Sequence, residues 1–215
     1  MAIKQLVLAS SNPGKLREFD RLLAPLGVNV VSQQSLGVAS APEPFFTFLE
    51  NALVKARHAC EQTGLPALAD DSGICVPALD GAPGVYSARY ANPEPGVDQD
   101  LLNNQKLVKR LQGVADRRAF YVAVLVLVTH DKDPLPIVAQ GVWQGEVIDQ
   151  PAGEHGFGYD PHFFLPQEGL TAAQLPSEKK NEISHRAIAT RLLLSELRER
   201  GLVGSVDTQA NGFAG

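Results

Sequence analysis

Residues 5–31 narrow the choice of fold more than any other stretch. Gln5–Ser10 (QLVLAS) is a short apolar run and reads as a buried strand. Ser11-Asn12-Pro13 follows. Asn12 suits a helix N-cap, and Pro13 suits the first helical position, where its missing N–H costs nothing. Leu16, Phe19, Leu22, Leu23 and Leu26 then recur at helical spacing until Gly27, and Val28–Val31 reads as a second strand. Strand, tight turn, helix and strand in that order open an α/β domain.

The rest of the chain continues the mixture. Pro44 to Thr63 is expected to be a helix, with Phe45, Leu49, Ala52, Leu53, Ala56 and Cys60 as its apolar stripe and Glu50, Asn51, Lys55 and His58 off it. Pro66–Ala69 begins a strand that meets a turn at Asp70-Asp71-Ser72-Gly73 and resumes as Ile74-Cys75-Val76. Residues 80–97, rich in Gly and Pro, form a loop, and Leu101–Leu111 a third helix. Phe120–Thr129 is Val- and aromatic-rich, a central strand, and Ile137–Ile148 alternates like a long strand or hairpin. Residues 153–166 are a Gly- and aromatic-rich loop. A final helix runs from Glu178 to Arg200 with Ser177 as its cap. Residues 1–203 are expected to form one mixed α/β domain, and the small, polar residues 204–215 a disordered tail.

Composition excludes several classes. The 215 residues carry 19 Lys+Arg against 24 Asp+Glu, a net charge of −5. Such a chain lacks the bulk attraction that polymeric nucleic acid requires, so a phosphate-bearing ligand needs a local site. The most apolar run, Phe120–Val128, is far short of the roughly 20 residues of a membrane helix. Cys60 and Cys75 lack metal-ligand spacing and are expected to be buried free thiols in a reducing cytoplasm.

Five groups of residues could carry chemistry. Ser10, Asn12 and Lys15 surround the start of the first helix, where free N–H groups and the dipole favour phosphate. Asp70 and Asp71 are costly to bury unpaired and suit Mg²⁺, a hard cation satisfied by one or two carboxylates plus phosphate oxygens. Neighbouring side chains of an extended chain point to opposite sides, so one of the pair is the ligand or base and the other its support. Glu43, just before the second helix, could complete a metal site, while Asn51 and Lys55 lie one turn apart. Phe157-Gly158-Tyr159-Asp160 offers an aromatic between glycines, able to stack on a base. Lys180, His185 and Arg186 can donate to a keto oxygen but cannot serve an exocyclic amine. Each group alone also fits a plainer role, as a helix cap, a polar turn, a solvated face or an aromatic turn.

Taken together, LASSNPGK (8–15), FLENALVKARHA (48–59), LADDSG (68–73), GAPGVYSARYA (81–91), GFGYDPHFF (156–164) and EISHRA (182–187) resemble the inosine/xanthosine triphosphate pyrophosphatase family. The match spans most of residues 5–200, although the opening loop has Ser-Ser-Asn-Pro where many members have Thr-Gly-Asn. The resemblance implies an elongated α/β fold with a long mixed sheet, two lobes around a nucleotide-binding cleft, and a homodimer. It implies hydrolysis of ITP, dITP or XTP to the monophosphate and pyrophosphate with Mg²⁺, Mn²⁺ also being admissible. By the same resemblance Ser10, Asn12, Lys15 and Lys55 face the phosphates. Glu43 and Asp71 hold metal, Asp71 accepts a proton with help from Asp70, and Ser72 touches substrate. Phe157, Gly158, Tyr159, Asp160, Lys180, His185 and Arg186 read the base. A related pyrophosphatase for other modified nucleotides would share the opening loop. A non-catalytic nucleotide sensor would need that loop but not the acidic pair.

Overall fold

A computed structural model of the chain describes residues 2–204. Of the tail expected over 204–215, all but Gly204 lies outside the described residues; the Gly204 N–H donates to Leu26 O at 3.2 Å. One seven-stranded sheet organises the molecule, in the order β2-β1-β3-β4-β5-β6-β7. The strands are β1 (Gln5–Leu8), β2 (Asn29–Ser32), β3 (Ala67–Cys75), β4 (Arg118–Val128), β5 (Ile137–Val147), β6 (Phe163–Leu165) and β7 (Leu170–Thr171). β1 pairs in parallel with both β2 and β3, and every later pairing is antiparallel. Parallel neighbours require crossovers. The helices α1 (Pro13–Leu23) and α2 (Phe48–Thr63) lie within those two connections. The remaining helices are α3 (Gln99–Arg110), α4 (Ser177–Ile183) and α5 (His185–Glu199).

Helices cover both faces of the sheet. On one face Leu6, Leu8, Leu68, Leu125 and Leu127 meet Phe19 and Leu23 of α1 and Leu193 and Leu197 of α5. On the other, Val7, Ala67, Ala69, Val124 and Val126 meet Ala52, Ala56 and Ala59 of α2. A separate core gathers Ile74, Tyr121, Trp143 and Phe163 with Leu107 and Leu111 of α3. β3, β4 and β5 contribute to more than one of these cores. β4 is buried on both faces along most of its length, as its unbroken apolar run requires. β5 alternates buried and exposed residues, with one face open.

Four expectations need correction. First, no turn interrupts β3. A continuous ladder from Ala67 opposite Val128 to Cys75 opposite Phe120 holds Asp70-Asp71-Ser72-Gly73 extended. Gly73 permits this, because a Cβ there would lie 2.4 Å from Ser87 Oγ and 2.5 Å from Gly84 O. Second, α2 starts at Phe48, not at Pro44. Thr47 is its cap, its hydroxyl accepting from Glu50 N (3.2 Å) and donating to Glu50 Oε2 (2.6 Å). Phe45 and Leu49 are therefore exposed, while Asn51 is buried, paired with both Phe45 N (3.1 Å) and Phe45 O (3.2 Å). Third, the last helix is two helices. Ser184 is extended and caps α5 through Ala187 N (3.3 Å), and position 176, not Ser177, precedes α4. Fourth, both cysteines are free, but Cys75 is only partly buried.

Gly141 of β5 fixes where α5 begins. A Cβ at that position would lie 1.9 Å from His185 O and 2.7 Å from Ala189 N. Only glycine lets the first turn of α5 settle directly on the sheet.

Candidate active site

β3 separates its two carboxylates by simple alternation. Leu68, Asp70 and Ser72 project to the face covered by α1 and α5, while Ala69, Asp71 and Gly73 project to the face covered by α2. Asp70 accordingly meets cations from α1 and α5. Its Oδ2 accepts from Arg186 Nε at 2.8 Å and lies 3.3 Å from Lys15 Nζ. Arg186 Nη2 also donates to Ser72 Oγ at 3.3 Å. Asp71 meets a cation from α2: Lys55 Nζ donates to Asp71 Oδ1 at 2.9 Å, to Glu43 Oε1 at 3.0 Å and to Asp70 O at 3.1 Å. Arg89 supports Glu43 from the far side at 3.3 Å.

The surroundings drive the adjacent carboxyls in opposite directions. Burial opposes ionisation of Asp70, but the charges of Arg186 and Lys15 outweigh it and hold the group well below the usual carboxylate range. For Asp71 burial dominates, and Glu43 and Asp70 add repulsion that Lys55 does not cancel, so its pKa is raised. Burial also works against the Lys55 ammonium, but Asp71 and Glu43 raise its pKa overall. Glu43 is lowered, with Lys55 and Arg89 prevailing over its burial.

The helix cap at α1 has its own consequence. Asn12 Oδ1 accepts from Gly14 N (2.8 Å) and Lys15 N (3.3 Å), and Asn12 N donates to Ser10 Oγ (3.1 Å). Those two helix amides are already satisfied. An anion there draws on the Lys15 charge and the helix dipole more than on those amides.

At the opposite end stands the loop preceding β6. Phe157 is two-thirds exposed, between Gly156 and Gly158, both at positive φ. Its N–H donates to Asp160 Oδ2 at 2.9 Å, and Asp160 also pairs with Lys180. Lys180 Nζ lies 5.3 Å from the centre of the Phe157 ring. Tyr159 is buried, and its hydroxyl donates to Ser87 O at 2.8 Å. His185 stacks on Tyr121 with ring centres 4.8 Å apart and planes 9° from parallel. Burial and the Arg186 charge push the His185 pKa down to about 3, so the ring is neutral at pH 7. His162, just after the Phe157–Asp160 stretch, is held to Ile148 O at 2.8 Å through Nδ1.

A cleft of about 660 Å³ brings together the residues singled out from the sequence, except Asn51, which is buried against the Phe45 backbone outside it. It also includes Glu18, Arg89, Asp100 and Tyr121, to which sequence reasoning gave no role. Glu18 lies one turn beyond Lys15, and Arg89 sits inside the GAPGVYSARYA stretch, so both left a local signal. Tyr121, within an apolar strand, and Asp100, on a helix distant in sequence, left none.

The orphaned atoms describe what the cleft can take. Asp70 Oδ1, Asp71 Oδ2 and His185 Nδ1 are buried without a hydrogen-bond partner. Such groups are rare in native proteins and call for an explanation. Among the described residues no cluster of three His, Cys, Asp or Glu is arranged around a metal position. Asp71 Oδ2 and neighbouring Glu43 nonetheless fit Mg²⁺, which takes most of its oxygens from water and phosphate.

Fold and cleft together define a class: an α/β protein with a cationic and acidic end suited to phosphate and metal, and an aromatic end suited to a planar ring. The family model for the Ham1 family matches residues 6–196, and the chain belongs to that family. It is 61% identical over 201 residues to a dITP/XTP pyrophosphatase of Bordetella pertussis, covering 94% of both chains. It is 58% identical over 198 residues to a dITP/XTP pyrophosphatase of Burkholderia pseudomallei, covering 92% of this chain and 95% of that one. A HAM1 protein from Coxiella burnetii superposes with a TM-score of 0.86 at 44% identity, covering 93% of this chain and 100% of that one. The Ham1 protein of Staphylococcus aureus gives 0.84 at 38% identity, covering 92% and 100%.

Proposed function

We propose that this chain hydrolyses non-canonical purine nucleoside triphosphates, namely ITP, dITP and XTP, to the monophosphate and pyrophosphate. The observation that carries the reading is the pair on β3. Adjacent carboxyls pushed apart in pKa divide the work between a permanent anion and a proton acceptor. The naming of the 58–61% identical relatives supports the substrate class.

Water attacks the α-phosphorus, the bond from that phosphorus to the α–β bridging oxygen breaks, and pyrophosphate leaves. Asp71 orients the water and takes its proton. Asp70 stays ionised and holds Lys15 and Arg186 in place. Lys15 and Lys55 face the phosphates and offset their charge. Ser10, Asn12 and Ser72 add polar contacts. Mg²⁺, or Mn²⁺ in its place, would be held by Glu43 and Asp71 and would supply further neutralisation of phosphate charge.

Phe157 stacks on the base, on a backbone shaped by Gly158 and Asp160, with Tyr159 buried beneath. Lys180 and His185 donate toward the 6-keto oxygen, and Arg186 ties this seat to Asp70. Adenine presents an amine at that position and leaves buried donors unpaired, which is strongly discriminating. Two free thiols and the net charge of −5 support a cytoplasmic enzyme acting on free nucleotides and not on polymers. The homodimer is part of the proposal through the family resemblance.

The test is pyrophosphate release from ITP, dITP, XTP, ATP and GTP with Mg²⁺ or Mn²⁺ and with a chelator. The expected result is monophosphate and pyrophosphate from the first three, little from ATP, and none with the metal removed, with GTP showing whether the 6-keto donors are the whole of the discrimination. Equal turnover of ATP, or orthophosphate as the product, would overturn the reading.

A further inference from the structure

The aromatic loop is gripped from behind by α3. Asp100 Oδ2 accepts from Gly158 N at 2.7 Å, and Asn104 Nδ2 donates to Gly158 O at 2.8 Å. Both polar groups of one residue's backbone are therefore held by residues i and i+4 of a single helix, which share a face. Asn104 is buried, and Nδ2 also bonds Asp100 O at 2.8 Å, which locks the two gripping residues to one another. Gly158 is at positive φ, and the backbone of its neighbour Phe157 is tied to Asp160 alone, its N–H donating to Asp160 Oδ2 at 2.9 Å and its O accepting from Asp160 N at 3.3 Å. α3 itself is fixed by Asn103. That side chain donates to Ser87 O (3.2 Å) and Ala88 O (3.3 Å) and accepts from Ala91 N (2.8 Å). Ser87 O also receives the Tyr159 hydroxyl, so the brace returns to the same loop.

We infer that Asp100 and Asn104 are positioning residues that set the seat of the base by clamping the Gly158 peptide. The inference rests on the reading of this cleft as a nucleotide site. A loop with two glycines has wide conformational freedom, and the clamp removes it before substrate arrives. Neither residue touches the acidic pair on β3, so the clamp acts on the base and leaves the phosphate chemistry alone.

The test compares Asp100→Ala, Asn104→Ala and Asp100→Asn with the wild type. Three quantities are read: kcat and KM for ITP, the inhibition constant of inorganic tripolyphosphate with Mg²⁺, and amide hydrogen exchange of residues 156–160 in the nucleotide-free protein. Loss of one hydrogen bond to a charged group corresponds to about a tenfold effect. Asp100→Ala is expected to raise KM for ITP about tenfold and to speed exchange in the loop by a similar factor. Its kcat and its tripolyphosphate constant should match the wild type. Asn104→Ala should move the same way. Asp100→Asn keeps an oxygen acceptor and should recover most of the wild-type KM. Unchanged KM and exchange would overturn the clamp, and so would a tripolyphosphate constant that rises with KM, since that marks a general loss of fold. A wild type that fails to turn over ITP would sink the proposed function and with it the role in base selection; loop exchange would then decide the clamp by itself.

Discussion

At the acidic end of the cleft the functional side chains stand on a strand; at the aromatic end they hang on a loop. Asp70, Asp71 and Ser72 occupy consecutive places in a nine-residue ladder with β4, and helices from both faces of the sheet bring cations to them. Phe157 and Gly158 have no ladder. They are held by a few hydrogen bonds to Asp160, Asp100 and Asn104. Bond cleavage requires reacting groups placed to a fraction of an ångström, and a sheet supplies that rigidity. Recognition of a planar ring needs a surface and a few donors, and a braced loop is enough. Changes at the first end should therefore cost turnover or stability, and changes at the second should cost affinity.

The largest effect is expected from Asp71→Asn. Loss of the proposed proton acceptor should lower kcat for ITP by about a thousandfold, with the urea midpoint preserved. Pyrophosphate release measures it, and near-normal turnover would move the chemistry off β3. Next comes Asp70→Asn, which leaves Arg186 and Lys15 facing a neutral amide in a fully buried position. Breaking such a pair costs about 3–5 kcal/mol, readable by urea unfolding. The sign of its pH dependence is fixed. The folded pKa lies below the ordinary 3.8, so ionised Asp70 stabilises the fold above that value. The contribution fades as the pH falls toward the folded pKa, and Asp70→Asn should flatten this acid limb. At the other end Phe157→Ala should raise KM for ITP about tenfold through lost stacking. Binding of inorganic tripolyphosphate should not change; if it weakens in parallel, the two ends are not separate. The smallest effect lies in the pH profile. The profile of kcat/KM, which reports the free enzyme, should show no inflection from His185 near the ordinary histidine value of 6.5, because that ring stays neutral.

The same contrast governs what the sequence made legible. The opening strand, cap and helix were plain because their signals are local: Asn12 does cap α1, and the apolar spacing does bury Phe19 and Leu23. The opposed directions of Asp70 and Asp71 followed from strand alternation even though a turn was expected there. What stayed hidden depends on distant partners. Asn51 looks like a solvated residue until its pairing with the Phe45 backbone is seen. The helical pattern runs smoothly through Ser184, so the break that creates a cap for α5 carries no periodic signature. Asp100 and Asn104 have meaning only through a peptide more than fifty residues away.

The alternation of β3 also limits how this molecule can vary. Because its side chains change face at every step, losing or gaining one residue before Asp70 would exchange the compartments of the two carboxyls. Asp71 would then stand before Lys15 and Arg186, and the chain would keep its composition while losing its division of labour. Only a change of two residues would return each carboxyl to its own face, displaced along the strand.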